Sequence, residues 1–223
     1  MKPPVVLVET NWVVDIIAPA HLQNPQAKQL MQRAQTGEFQ LCVPAICLAE
    51  ARETVPRRFT PRSRSEDFRK FVRWARDERR VSDTDTQVAF RIFDQFDGLV
   101  AHELTKVPAR LETLVQNPHL DVFPLSQSML ERQVLIGAME LSLKPYDLAI
   151  LAAILVKAEV CQQDGYSWVG FCELDTDLQP WDKSGNRKPI LSELYDNARV
   201  WVYQDFLLED VNALPDYWTT PQR

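Results

Sequence analysis

Four consecutive apolar residues, Val5, Val6, Leu7 and Val8, are followed at once by Glu9-Thr10-Asn11. An apolar run of strand length has no solvent face. It predicts a strand covered on both sides, as in a parallel sheet packed between helices. In open sheets of that kind ligands bind at the C-terminal ends of the strands. Glu9 is therefore expected at the edge of a cleft, with Thr10 or Asn11 capping a helix that runs from Trp12 to about Ile17.

The same arrangement recurs along the chain. Residues 41–43 form a short apolar run ending at Pro44, and a helix over 45–53 then carries Glu50 inside the stretch A-I-C-L-A-E-A. A carboxylate buried there needs a partner, a proton or a metal. A third strand is expected at 122–125, followed by a helix capped by Ser126 and running through Leu141. Pro145 suits the first turn of the next helix, whose body at 148–156 is apolar on all sides, and Asp147 stands at its N-terminal end. A fourth strand at 168–172 runs into Glu173-Leu174-Asp175-Thr176-Asp177, and a fifth is expected at 198–203. Strands alternating with helices predict a doubly wound α/β fold with a central, mostly parallel sheet of about five strands, Val5–Val8 near its middle.

Between the second and third strands lies a long, differently charged stretch. The chain of 223 residues carries a net charge of -6, but residues 52–80 hold 11 basic and 5 acidic side chains. An acidic body with one basic limb follows. Residues 52–65, with their prolines, serines and arginines, are expected to be a loop. Over 66–80, Phe68, Phe71, Val72 and Ala75 share one helical face, of which Phe68, Phe71 and Val72 are expected to pack on the body, with Arg69, Arg73, Arg76 and Arg80 in a stripe beside them. A long helix follows from Ser82 or Asp83, with Pro108 as its kink or end. The stretch 52–117 is expected to be a helical insertion or lid within a single domain, and 204–223 a C-terminal tail.

Several chemistries are excluded. The four cysteines form no C-x-x-C pair and are expected to be reduced, buried thiols of a cytoplasmic protein. The three histidines lack zinc-ligand spacing. No glycine-rich phosphate loop is present. The first apolar run is too short for a signal peptide, and no stretch of ~20 apolar residues could span a bilayer.

Glu9, Glu50, Asp147, Asp175 and Asp177 thus stand at strand ends or helix starts. Right-handed crossovers would place all of them on one edge of the sheet. Carboxylates gathered there repel one another, and a divalent cation offsets that repulsion. A donor set of oxygen alone, without His or Cys, suits Mg2+ or Mn2+.

The ordered set of motifs is more specific than any of its members: a strand then E-T-N; a strand then P-A-I-C-L-A-E-A; K-P-Y-D-L-A-I-L-A-A; and a strand then E-L-D-T-D-L. Between Val5 and Tyr203 the chain resembles PIN-domain proteins, the family of many metal-dependent ribonucleases, including the toxins of bacterial toxin–antitoxin pairs. The resemblance implies a three-layer sandwich and an endoribonuclease that leaves 3′-hydroxyl and 5′-phosphate ends. It assigns Mg2+ or Mn2+ to Glu9, Glu50, Asp147 and Asp175, with Asp177 as an auxiliary acid and Asn11 orienting the first carboxylate or a metal-bound water. RNA is the implied substrate, and the charge of the basic limb against an acidic body makes Arg69, Arg73 and Arg76 its expected phosphate contacts. An antitoxin or other protein partner and a homodimer are compatible with the family, and no membrane association is expected. Two positions depart from the pattern: Glu9 replaces the family's Asp, and Glu173 replaces a Thr or Ser. These departures motivate an alternative, a catalytically inactive module of the same fold that binds RNA or a protein. A haloacid-dehalogenase-type phosphatase would need D-x-D-x-T after the first strand, but Asp175 and Asp177 come late and Gln179 fills the threonine position.

Overall fold

The computed structural model describes residues 2–209; the last part of the expected tail, 210–223, lies outside the described residues. The chain is an α/β protein built on one five-stranded sheet. Its elements run β1 (Val5–Val8), α1 (Thr10–Ile17), α2 (Pro25–Gln35), β2 (Gln40–Pro44), α3 (Ala45–Arg58), α4 (Pro61–Asp77), α5 (Asp83–Leu104), α6 (Val107–Val115), β3 (Leu120–Phe123), α7 (Gln127–Gly137), α8 (Pro145–Gln163), β4 (Val169–Cys172), α9 (Pro189–Asn197) and β5 (Val200–Tyr203).

All strand pairings are parallel and the order is β3-β2-β1-β4-β5. The first strand is the middle one, and its four side chains are fully buried. At roughly 1.5–3 kcal/mol for each such side chain, this strand anchors the core. The chain winds outward from β1 to β3, then crosses back to lay β4 on the other side of β1. The connections therefore reverse direction between β1 and β4, and a crevice opens there at the C-terminal ends of the two strands.

Helix α8 explains its uniformly apolar sequence by position: Ala149 through Val156 are all buried. In β4, Gly170 is required by close approach. A Cβ there would stand 2.6 Å from the Trp168 ring, which stacks at 5.1 Å on Trp201 of the neighbouring strand.

Several local expectations are corrected. Residues 52–65 are mostly helical: α3 continues through Pro56 to Arg58, and α4 starts at Pro61. Pro56 falls near the C-terminal end of α3, where only one ladder bond is lost, and Pro61 occupies a first-turn position whose N–H needs no helical partner. Pro108 likewise opens α6, and α5 ends earlier, at Leu104. The third strand is two residues earlier than expected, pairing Leu120–Phe123 with β2. Helix α1 begins at Thr10, so its cap is Glu9 itself.

No described helix is long and apolar enough to cross a membrane. All four cysteines are buried and free.

Candidate functional site

The register of β1 against β4 builds the site. Val8 is opposite Cys172, so Glu9 and Glu173 leave adjacent parallel strands side by side. Both lie in the crevice where the connections reverse, and both are buried, at 3% and 0% exposure.

Glu9 accepts a 2.7 Å hydrogen bond at Oε2 from the Asn11 amide, which fixes the carboxyl across the N-terminus of α1. Its other oxygen, Oε1, is buried without a partner. Burial pushes its pKa up to about 8; hydrogen bonds from the Asn11 backbone and side chain oppose the shift, and the nearby charges of Asp175 and Glu50 add to it. The Asn11 amide thus fixes the orientation of the first carboxyl.

Glu173 accepts from the Asp175 amide at Oε1, while Oε2 is buried and unpartnered. Burial holds this carboxyl well above the usual range, and Glu9, Asp175 and Asp147 raise it further. Asp147 comes from the first turn of α8. Desolvation raises its pKa first, then Asp175, against an opposing contribution from Lys144; its Oδ2 is also buried and unpartnered. Glu50 projects from α3 and receives the Thr10 hydroxyl at 2.5 Å. Asp175 follows β4 and accepts the Asp177 amide at 2.9 Å.

The structure therefore brings Glu9, Glu50, Asp147 and Asp175 together and adds Glu173. Glu173 is the position that departs from the Thr or Ser of the family pattern. Its signal was available all the same: it follows an apolar strand just as Glu9 does. Asp177 stands apart from the buried group, exposed, on the wall of an adjacent cavity. The buried Cys47 thiol of α3 is pushed well up by burial, with Glu9 and Glu50 adding to it, so it stays neutral and is no nucleophile.

An excess of buried carboxyls with orphaned oxygens is what a hard cation would relieve. The donor chemistry fits Mg2+ or Mn2+, every candidate ligand being oxygen. As the side chains stand, no group of three or more His, Cys, Asp or Glu among the described residues is arranged to hold a metal ion.

The basic limb needs a larger correction. Helices α4 and α5 pack on each other, and Arg69 lies between them, 5% exposed. Its guanidinium donates to Asp94 at 2.9 Å and to Asp97 at 2.8 Å, with Ser65 completing the cluster. Arg69, expected to face outward as a phosphate contact, instead joins the two helices and is closed off from solvent. Arg73 lies over the Phe90 ring and pairs with Glu66 at 3.7 Å, and Arg76 pairs with its neighbour Asp77; both stay half-exposed. The apolar face is also reversed in part. Phe68 and Phe71, expected on the body, are 64% and 60% exposed. Phe68 stacks with Phe93 of α5. The apolar repeat had specified a helix but not which partner it meets.

Comparison with models of known families, with curated proteins and with solved structures found no match.

Proposed function

We propose that this chain is a Mg2+- or Mn2+-dependent endoribonuclease of the PIN-domain type, acting in the cytoplasm. The observation that carries the reading is the set of three buried, unpartnered carboxylate oxygens, Glu9 Oε1, Asp147 Oδ2 and Glu173 Oε2, at the point where the sheet's connections reverse. A fold gains nothing in stability from stacking repelling acids in a dry crevice. Such an arrangement makes sense when a cation and a phosphodiester are the occupants.

In this reading Glu9, Glu173, Asp147 and Asp175 hold the cation, and Glu50 is set by the Thr10 hydroxyl beside them. When bound, the cation polarises phosphate oxygens and lowers the pKa of a coordinated water. The reaction is hydrolysis: water adds to phosphorus, the P–O3′ bond breaks, and the departing oxygen takes a proton to become the 3′-hydroxyl. The chain's own part is to fix carboxyl orientations through the Asn11 amide and the Thr10 hydroxyl, and to keep the first-strand acid away from bulk water. Arg73 and Arg76 supply phosphate contacts; Arg69 does not. The buried, unpaired cysteines support a reducing compartment.

A second reading, an inactive module that binds RNA or an antitoxin-like protein partner, is favoured by one observation: among the described residues no three acids stand ready to hold a metal. A Mn2+ titration of RNA cleavage decides between them. Cleavage that rises with Mn2+ and disappears in Asp147→Asn supports the nuclease; RNA binding without cleavage at any Mn2+ concentration supports the module.

A further inference from the structure

Beside the carboxylates lies a cavity of about 300 Å3. It is built from two segments that also build the site. One is the approach to α8, including Leu141 and Leu143, which runs directly into Asp147. The other follows Asp175 and includes Asp177 and the start of α9, with Ile190 and Leu191. The Asp177 amide is bonded to the Asp175 carboxylate at 2.9 Å, so the cavity wall and the site share a hydrogen bond.

The lining divides by chemistry. Leu141, Leu143, Ile190 and Leu191 make an apolar slot, and Glu140, Asp177 and Lys188 stand around it. The Lys188 ammonium donates to the Thr176 carbonyl, which holds it at that end of the slot. The volume is at the lower bound for small-molecule sites, room for one flat ring system. Apolar walls take the faces of such a ring. Carboxylates at the margin accept N–H donors from its edge, as acidic side chains do from exocyclic amino groups.

We propose that this cavity is a base-specificity subsite, holding one unstacked base of the RNA strand next to the scissile phosphate and preferring amino-bearing bases over uracil. The inference rests on the nuclease reading for its substrate, but the cavity can be tested without catalysis. Single-stranded RNA is read in this manner, by splaying out a base and bonding to its edge. Lys188, at one end of the slot, serves a carbonyl of the base or the adjoining phosphate.

The test uses free nucleosides, which carry no phosphate and need no cation. Cytidine, adenosine, guanosine and uridine are titrated into the full-length protein, and amide NMR shifts are followed at Ser142 and Leu191. The expected result is saturable shifts at these amides, with uridine about tenfold weaker than cytidine. Glu140→Gln, an exposed and structurally mild change, should shrink that difference. Leu143→Trp should fill the slot and abolish all four responses. Equal shifts for the four nucleosides, shifts confined to other parts of the surface, or full binding in Leu143→Trp would overturn the subsite. The two readings fail separately. Nucleoside shifts without Mn2+-dependent cleavage keep the subsite and remove the nuclease; cleavage without nucleoside shifts removes the subsite alone.

Discussion

Glu9 and Glu173 follow the paired residues Val8 and Cys172 on adjacent parallel strands, and each buries a carboxylate oxygen that has no hydrogen-bond partner. Parallel register makes this unavoidable: strands in step deliver the residues after them to the same place. Burial is the larger cause of both raised pKa values; Glu9 adds to that of Glu173, and Asp175 and Glu50 add to that of Glu9.

That arrangement sets the pH dependence of stability in metal-free protein. The Glu9 carboxyl has an ordinary pKa of 4.5 and a folded value of about 8. Between those values the folded chain holds a proton that the unfolded chain releases. Stability is therefore full below the lower value and declines as pH rises toward the upper one. Glu173 and Asp147 shift in the same direction. Melting temperature in EDTA should fall from about pH 5 to about pH 8, and Glu9→Gln should flatten the fall. Millimolar Mg2+ or Mn2+ should raise the melting temperature more at the upper end, where the acids are charged. A melting temperature that climbs with pH over this range would contradict the buried-acid site.

Asp147→Asn and Glu173→Gln should each lower RNA cleavage by at least about 100-fold, the scale reached by loss of even an outer-sphere metal partner. Both variants should melt no lower than wild type in EDTA, because each replaces a desolvated acid by a neutral amide, and the gain should be larger at alkaline pH, where the acid would be charged. A large loss of stability in EDTA would mark these acids as structural. Glu9→Asp is a sharper probe, since it shortens the first carboxyl by one methylene toward the residue the PIN family uses. Higher activity in this variant would show that the longer side chain limits catalysis in the proposed nuclease.

Arg69 and the pair Arg73 and Arg76 should separate cleanly. Arg69→Ala strands Asp94 and Asp97 without their cation and should speed amide exchange in α4 and α5 while leaving the sheet protected. Neutralising Arg73 and Arg76 should leave exchange unchanged and flatten the salt dependence of RNA binding by up to ~0.7 per lost contact. An unchanged salt slope would move the RNA surface elsewhere.

Gly170→Ala should destabilise the protein by about 1–3 kcal/mol, the usual cost of overpacking. The new Cβ would meet the Trp168 ring at 2.6 Å, and that ring is held by its stack on Trp201. Chemical denaturation reads the loss directly, and Trp168→Leu in the same background should recover part of it. A neutral Gly170→Ala would mean the ring moves freely.

Much of this protein follows from local pattern. The apolar run Val5–Val8 has one stable setting, covered on both faces, and it is the middle strand. The all-round apolar body of α8 could only be buried. Glu9, Glu50, Asp147 and Asp175 were legible as strand-end and helix-start acids, because chain direction alone sends those ends of a parallel sheet to one edge. Three features were decided by tertiary structure. Glu173 joined the site because β4 lies beside β1 in register, a long-range pairing that no local pattern specifies. The exposed rings of Phe68 and Phe71 show that a helical apolar stripe states a period but not a partner; α4 met α5 instead of the body. Arg69 shows the same limit for charge. A row of arginines reads as one surface, but burial is set by which residue falls against the neighbouring helix, and there the carboxylates of Asp94 and Asp97 take the guanidinium that would otherwise face solvent.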